Sequence, residues 1–334
     1  MAAEPHAPPG RTRPESPQHD AGARPAAHVR HAALIVNTRS RRGRVLFRDA
    51  IDQLEAKGIA LDASHSVGDP RRLAAVVERE VARGAGTIIV GGGDGTIGAI
   101  AGVLANRDIV LGLLPLGTGN NFATRTLGIP ASLDGAVDVI AAGHSVAVDL
   151  GEVNGHYFVN TASIGLSSEV ARETPPGLKR HLGVLAYALT GLRLLVARRR
   201  FRCTVVLAGR RESFRTHQLV VANGSHFGVA KVAPEVLLES GQLLVFSIAT
   251  STRWRTLRAW ARFFVTGHRQ AIDNAHRFVT RSATIEAVPN QRVDVDGELR
   301  TRTPAHVRVA AEALRVLAPA ALYDGVQKRT PTPA

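Results

Sequence analysis

The chain has little cysteine, no long hydrophobic run and a shortage of acidic residues. Its single cysteine, Cys203, excludes an intramolecular disulfide and suits a reducing compartment. No apolar run reaches the ~18 residues that a membrane-spanning helix needs, and the first residues lack the pattern of a signal peptide. These absences predict a cytoplasmic protein.

The shortage of acids leaves the chain strongly basic. Against 42 Lys+Arg there are 28 Asp+Glu, which gives a net charge of +14. The excess reflects either general arginine usage on a solvated surface or attraction to an anionic partner such as a nucleotide or acidic lipid headgroups. Nucleic acid is the least favoured partner, because the basic residues do not alternate with aromatics in a recognisable binding module.

Several common catalytic motifs are also absent. The 13 histidines show neither H-E-x-x-H nor a paired Cys/His spacing, which argues against a zinc site. Ser163 and Ser167 lie near glycines but lack a nucleophile elbow, which argues against a serine hydrolase. Neither the dinucleotide fingerprint G-x-G-x-x-G nor a Walker loop occurs.

Two glycine loops are the most informative features present. The apolar strand ending at Val90 runs into Gly91-Gly-Gly-Asp-Gly-Thr96, and a second apolar strand runs into Pro115-Leu-Gly-Thr-Gly-Asn120. Such loops present backbone N–H groups to a polyphosphate, and a Cβ would hold the phosphate away from them. Asp94 would repel phosphates unless it binds Mg²⁺ or orients an acceptor hydroxyl. The loops therefore predict a nucleotide-dependent enzyme.

The pattern of elements predicts two domains. Residues 31–145 alternate four apolar strands with helices at 45–57, 71–83, 97–105 and 133–142, which is typical of a doubly wound parallel sheet that binds ligands at the carboxyl ends of its strands. Residues 146–320 contain short strands separated by Asn-Gly and Asp-Gly turns and predict an antiparallel β-sandwich, interrupted by helices at 181–200 and 252–266. A final strand is predicted at 313–318. We expect residues 1–30 to be a disordered tail and 321–334 a flexible one.

Five motifs in order resemble the catalytic region of the diacylglycerol/sphingosine kinase superfamily, in particular its soluble bacterial lipid kinases. Besides the two glycine loops, they are Asn37-x-x-Ser40, Asn160-Thr-Ala-Ser-Ile-Gly165 and Val295-Asp-Gly-Glu298. The similarity covers about residues 31–320. It implies an α/β nucleotide-binding domain followed by a β-sandwich that receives the acceptor.

The resemblance also implies roles for individual residues. Glu298 or Asp296 would accept the proton of the lipid hydroxyl, although the Asp-Gly spacing alone equally suits a type I′ hairpin turn. Asp94 is the third candidate catalytic residue. A hydroxyl near the end of the second strand would contact ATP, either Ser64 or Ser66. The full set of implied nucleotide contacts is Asn37, Ser40, Ser64, Gly91, Gly92, Gly93, Asp94, Gly95, Thr96, Gly117, Thr118, Gly119 and Asn120.

The chain departs from the family pattern at three places. Asn121 stands where the family usually has Asp, and Gly98-Ala99 stand where an Asn-Glu pair is common. In the structural Mg²⁺ loop of the family, Ser240 replaces a carboxylate ligand, and only Glu239 could compensate. Backbone carbonyls of Leu237 and Gln242 would complete that metal site.

We therefore predict a kinase that transfers the γ-phosphate of ATP, with Mg²⁺, to the hydroxyl of a lipid such as diacylglycerol or a sphingoid base. Two alternatives stay open: a kinase of a soluble acceptor that resembles NAD kinases, and a nucleotide- or lipid-binding regulator that has lost catalysis. Basic amphipathic helices at 182–196 and 253–265 would either contact the membrane surface or pack on the β domain. The sequence leaves the acceptor lipid and the oligomeric state open.

Overall fold

A computed structural model describes residues 28–166, 200–224, 226–227, 230–231, 240–247 and 276–327. The helices are α1 (Phe47–Ala56), α2 (Leu73–Ala82), α3 (Asp94–Leu104), α4 (Leu133–Ala142) and α5 (Ala320–Gln327). The strands are β1 (His31–Asn37), β2 (Ala60–Val67), β3 (Thr87–Gly92), β4 (Val110–Pro115), β5 (Ser145–Val153), β6 (His156–Phe158), β7 (Thr161–Gly165), β8 (Phe201–Leu207), β9 (Arg210–Thr216), β10 (Gln218–Asn223), β11 (His226–Phe227), β12 (Ala230–Lys231), β13 (Leu243–Ser247), β14 (Arg277–Thr280), β15 (Ser282–Val288), β16 (Arg292–Val295), β17 (Glu298–Arg302) and β18 (Ala305–Leu317).

The first four strands form the predicted parallel sheet in the order β2-β1-β3-β4. Strands β1, β3 and β4 are apolar on both faces because helices cover both: α1 packs with α4, and α2 packs with α3. Both glycine loops follow the carboxyl ends of neighbouring strands, β3 and β4. The doubly wound N-terminal fold is therefore confirmed.

Helix α3 begins earlier than the sequence pattern predicts. It starts at Asp94, inside the glycine loop, and not at Ile97. The periodicity of apolar residues could not predict this first turn, because glycines contribute no apolar side chains to a helix face. The consequence is that the N-terminal end of α3, with its positive dipole, lies in the loop itself.

The second part of the chain forms an antiparallel sandwich, as predicted. A six-stranded sheet in the order β14-β13-β10-β7-β16-β17 faces strands β8, β15 and the first half of β18 across an apolar core. Phe158, Ile164, Val221, Val245 and Ile285 are fully buried in this core. In the central strands β10 and β13 the side chains on the opposite face are buried as well, so this part of the sheet is covered on both faces.

Strand β18 joins the two halves into one sheet. The sequence predicted a separate final strand at 313–318, but the structure has a single longer strand that pairs with β15 and β5 and then, at Arg315 and Val316, runs parallel to β4. A register irregularity between Ala310 and Leu314 separates these two pairings. Main-chain hydrogen bonds of β18 therefore link the sandwich to the N-terminal domain and fix the position of one relative to the other.

The chain end differs from the flexible tail predicted from residue 321. Residues 320–327 form α5, because Tyr323 and Val326 bury an apolar face against the first core and the Tyr323 ring lies 4.9 Å from that of His144. The predicted helices at 181–200 and 252–266 fall, apart from Arg200, outside the described residues. Within the part of the chain that is described, no helix is long and apolar enough to cross a membrane.

Candidate active site

The two glycine loops touch each other through their backbones. Leu116 N–H and Gly117 N–H both donate to the Gly92 carbonyl, at 2.9 and 3.1 Å. A Cβ on Gly117 would lie 2.5 Å from the Gly93 Cα, a distance that no real Cβ contact permits. Glycine is therefore required at residue 117 for the loops to meet, whatever binds above them.

Asp94 fastens the second loop. Its two carboxylate oxygens accept the backbone N–H groups of Asn121 and Phe122, each at 2.9 Å. Those amides open a single π-helical turn, Asn121–Thr126, and a carboxylate is well suited to satisfy them. The structure thus gives Asp94 a positioning role, and the predicted role in Mg²⁺ binding stays a prediction.

Asn120 shapes the same loop from within. It adopts the left-handed conformation at φ 50°, which asparagine tolerates better than most residues. Its side-chain oxygen accepts Gly117 N–H at 2.9 Å, and its amide donates to the Pro115 and Gly117 carbonyls at 3.1 Å. Because the side chain is buried and engaged in this way, it sets the loop geometry, and its contact with a nucleotide stays a prediction.

The loop after β1 is pinned to α3. The Asn37 amide donates to the Thr96 hydroxyl at 2.9 Å in a buried contact, and Ser40 Oγ accepts Gly43 N–H at 3.1 Å. Arg42, which the sequence did not single out, donates to the Pro115 and Ala131 carbonyls at 3.0 and 2.8 Å. An arginine in an arginine-rich loop carries no signal of such long-range bonds.

The predicted nucleotide contacts divide by exposure. Gly91, Gly92 and Thr96 are buried, because a Cβ at residue 91 would meet Leu116 and Val36 and one at residue 92 would meet Thr96. They therefore support the loops from behind, and their contacts with a nucleotide stay a prediction.

By contrast, Gly95, Thr118 and Gly119 are exposed, and their amides take part in no hydrogen bond within the described residues. Open amides at the N-terminal end of a helix are the groups that bind phosphate, so this loop pair fits the phosphates of a nucleotide.

The strand pairing of β2 helps to choose between the two serines that were predicted to contact ATP. Ser64 lies opposite Leu34 in mid-strand, whereas Ser66 lies opposite Val36, one residue before the end of β1 at Asn37. Both side chains are on the exposed side of the edge strand. Ser66 is therefore the nearer of the two to the glycine loops, and Ser64 stays a more distant prediction.

The Asp-Gly-Glu segment is both a hairpin turn and a wall of the cleft, so its two interpretations are compatible. Asp296 and Gly297 have φ values of 48° and 95°, the two positive values of a type I′ turn between β16 and β17. The Asp296 carboxylate accepts three backbone N–H groups, from Val159 at 2.7 Å, Asn160 at 3.0 Å and Thr161 at 2.9 Å.

The environment of Asp296 shifts its titration. Burial raises the pKa of Asp296 to about 6, although the three backbone N–H groups oppose the shift, and the charge of Asp94 adds to it. Nearby, burial also raises the pKa of Asp294, whose carboxylate accepts Gly297 N–H at 2.9 Å, and the charge of Glu298 contributes. The turn therefore concentrates negative charge beside the nucleotide loop.

Glu298 differs from its neighbours because it is exposed. Its carboxylate contacts the Arg300 guanidinium at 2.5 Å. Register places Thr301 opposite Val293 and Leu299 opposite Asp294, so Arg300 is the extra residue of a β-bulge. Bulges re-aim side chains beside active sites, and this one brings Arg300 to the carboxylate of Glu298.

A cleft of about 210 Å³ joins the two walls. Its lining comprises Gly95, Gly98, Ala99 and Gly102 of α3, Gly155 of the β5–β6 turn, His156 and Tyr157 of β6, and Val295, Asp296, Glu298 and Arg300 of the hairpin. A Cβ at residue 98 would lie 3.0 Å from the Asp296 Cβ and 3.2 Å from its Oδ2. Gly98 thus lets the hairpin approach α3 closely, which gives this departure from the family pattern a physical reason.

The predicted structural metal loop is described in part. Leu237 and Glu239 lie outside the described residues. Between Ser240 and Gln242, Gly241 N–H donates to Asp149 Oδ2 at 2.6 Å, and Asp149 Oδ1 accepts Glu312 N–H at 2.9 Å. Among the residues that the structure does describe, no three acidic, histidine or cysteine side chains come together as a metal cluster. Asp149 therefore fastens this loop by hydrogen bonds, and the metal stays a prediction.

Comparison with known proteins identifies the family. Residues 31–153 match the diacylglycerol kinase catalytic domain, and residues 160–318 match the YegS C-terminal NAD kinase beta sandwich-like domain. Proteins named probable lipid kinase YegS-like from Yersinia pestis (strain Pestoides F) and Yersinia pseudotuberculosis serotype O:1b are each 34% identical over 219 residues, which is 63% of this chain and 72% of theirs. The chain belongs to the diacylglycerol kinase family of lipid kinases.

Solved structures show the same fold for this lipid kinase. A diacylglycerol kinase from Bacillus anthracis str. Sterne superposes with a TM-score of 0.70 at 24% identity, over 88% of this chain and 98% of that one. A second crystal structure from the same organism gives 0.74 at 24% identity, over 88% and 97%.

Proposed function

We propose that the lipid kinase uses ATP and transfers its γ-phosphate to the hydroxyl of a lipid such as diacylglycerol or a sphingoid base. The observation that carries the proposal is the direct approach of the Asp-Gly-Glu turn to α3 at Gly98, beside the loop with open amides. Phosphoryl transfer needs a phosphate cradle and a proton acceptor within one cleft, and the two walls supply these groups.

ATP supplies the phosphoryl group, and Mg²⁺, which keeps mostly phosphate and water ligands, would accompany it. The amides of Gly95, Thr118 and Gly119 would bind the phosphates at the positive end of α3. Asp94 holds the second loop against the first through the Asn121 and Phe122 amides, so that all three binding groups stay in place.

Glu298 is the better candidate for the proton acceptor. The Asp296 carboxylate already accepts three backbone N–H groups, two at Oδ1 and one at Oδ2, so about one of its roughly four lone-pair sites remains for a substrate hydroxyl. Glu298 is exposed in the cleft, and its one ion-pair partner within the described residues is Arg300. We assign Asp296 the task of positioning the turn and Glu298 the task of removing the hydroxyl proton.

The test is phosphate transfer from radiolabelled ATP, with a total lipid extract and with NAD as separate acceptors. We expect labelled lipid, and we expect Glu298→Gln to reduce the turnover number about 10²- to 10⁴-fold, the usual contribution of a general base. Glu286→Gln is the matched control. That glutamate also pairs with an arginine, Arg211, but it lies on β15, in the other sheet from the Asp-Gly-Glu turn.

Three results would contradict the proposal. Labelled NAD without labelled lipid would favour the kinase of a soluble acceptor. Nucleotide binding without transfer to any acceptor would favour a regulator, for which the replacement of an acid by Asn121 is the supporting observation. Equal activity of Glu298→Gln and Glu286→Gln would exclude Glu298 as the proton acceptor.

A further inference from the structure

The outer edge of the sandwich carries two arginines that face each other directly. Arg292 and Arg302 are paired residues of β16 and β17, so their Cβ atoms lie about 4.5–5.5 Å apart on one face. Both side chains are exposed, and within the described residues neither has an acidic partner. Like charges in this position destabilise a hairpin, so the pair opposes the stability of the element that carries it.

An apolar side chain shares that face. Leu299, which is 40% exposed, pairs with Asp294, and Asp294 points to the same side as Arg292 because the two are separated by one residue along β16. Strand β17 is the last strand of its sheet, and Leu299 and Arg302 on it are exposed, as is Arg292, whereas Asp294 on the same face is buried. We call Arg292, Leu299 and Arg302 the hairpin edge.

The hairpin edge adjoins the mouth of the cleft. The Asn154 amide donates to Thr301 Oγ1 at 3.1 Å, to the Arg302 carbonyl at 3.2 Å and to the Pro304 carbonyl at 3.1 Å. Residues 155–157, which follow directly, line the cleft. Arg292 is three residues from Val295, about 10 Å at the rise of a β-strand. The cationic pair is therefore held close to residues that line the cleft.

We propose that the hairpin edge docks this kinase on an anionic lipid bilayer, with the cleft opening at the headgroups. Two unpaired guanidinium groups next to an exposed leucine match a surface that is negative outside and apolar beneath. The proposal rests on the proposed function, because a kinase whose acceptor stays in the bilayer must bring its cleft to the lipid surface. Docking itself requires neither ATP nor transfer.

The chain offers a matched control. Arg202 of β8 and Arg215 of β9 are also directly opposite each other and exposed, and neither has an acidic partner among the described residues. They lie in the other sheet, and neither lines the cleft. R202Q/R215Q therefore removes the same charge from the same kind of pair as R292Q/R302Q.

The experiment measures co-sedimentation of the full chain with phosphatidylcholine vesicles, with and without phosphatidylserine, in the absence of ATP. Each arginine near an anionic surface is worth about fivefold in partitioning, so we expect R292Q/R302Q to bind phosphatidylserine vesicles about 25-fold more weakly. We expect R202Q/R215Q to bind as the parent does, and R292K/R302K to restore binding. Binding of the parent should fall as salt is added.

Equal losses in the two glutamine variants would overturn the proposal in favour of general attraction to a basic protein. Unchanged vesicle binding of R292Q/R302Q together with self-association would mean that the arginines only keep the edge strand from pairing with another copy. In the kinase assay, we expect R292Q/R302Q to lose activity toward lipid in vesicles but to keep it toward lipid in detergent micelles. If the parent transfers phosphate to neither form, the proposed function fails while the vesicle-binding result still stands.

Discussion

The close approach of Gly98 to Asp296 predicts that a single added methyl group lowers the turnover number while it changes the free energy of unfolding little. In Gly98→Ala the new Cβ would lie 3.0 Å from the Asp296 Cβ and 3.2 Å from its Oδ2. Asp296 must then move by a few tenths of an ångström. Its carboxylate is fixed by three N–H bonds of 2.7–3.0 Å, so the whole Asp-Gly-Glu turn would move with it.

The substitution has two opposite effects on the free energy of unfolding. Replacement of glycine by alanine inside a helix contributes about 0.8–1.0 kcal/mol of stability. Overpacking costs about 1–3 kcal/mol. We therefore expect the free energy of unfolding to change little or to fall by at most about 2 kcal/mol, the difference between those two ranges. A misplacement of about 1 Å can cost 10²-fold in rate, so we expect turnover to fall about tenfold for the smaller shift.

Gly102→Ala is the internal comparison for this prediction. A Cβ there would lie 3.6 Å from Tyr157 Cδ2, an ordinary contact, so the helix should gain its full ~1 kcal/mol without displacing Asp296. Urea unfolding and turnover are measured for both variants. The reasoning would be refuted if Gly98→Ala were as stabilised as Gly102→Ala and as active as the parent.

Two further predictions concern the carboxylates of the site. Asp94→Asn retains one acceptor for the Asn121 and Phe122 amides and loses the other, so urea unfolding should show a loss of about 1.5–3 kcal/mol. The exposed N-cap variant Asp69→Asn should lose less, and equal losses would contradict the role given to Asp94. For Asp296, a folded pKa of about 6 against an ordinary 3.8 means that the folded protein takes up a proton more readily than the unfolded chain. The unfolding free energy of the parent relative to Asp296→Asn should therefore rise by about 2 kcal/mol as the pH falls from 6 to 4, and a flat difference would exclude the shift.

The sequence was informative where local chemistry dictates structure. Strands β1, β3 and β4 could be predicted because continuous apolar runs between glycine loops suit only a sheet that is covered on both faces. The Asp-Gly turn could be predicted as a hairpin because both residues tolerate positive φ. In contrast, β9 and β17 were missed, since Arg-Arg-Glu-Ser-Phe-Arg-Thr and Glu-Leu-Arg-Thr-Arg are mostly polar and lie at sheet edges.

The site could be located from the sequence but not resolved residue by residue. A glycine that binds phosphate and a glycine that packs against Leu116 look the same in a sequence, so Gly91 was assigned to the ligand although it is buried. The bonds of Arg42 to two carbonyls, and the joining of β18 to β4, connect residues more than 70 positions apart. No local pattern encodes such contacts.

The departures from the family pattern have a common explanation in the charges that surround Asp296. Where the family commonly has Glu and Asp, this chain has Ala99, which lines the cleft with Asp296, and Asn121, whose backbone N–H still binds Asp94. Each extra carboxylate there would raise the pKa of Asp296 further, because like charges disfavour ionisation. Without them, a pKa of about 6 leaves Asp296 mostly ionised at neutral pH and able to accept its three N–H bonds. The two missing acids therefore favour a turn that holds Glu298 in place.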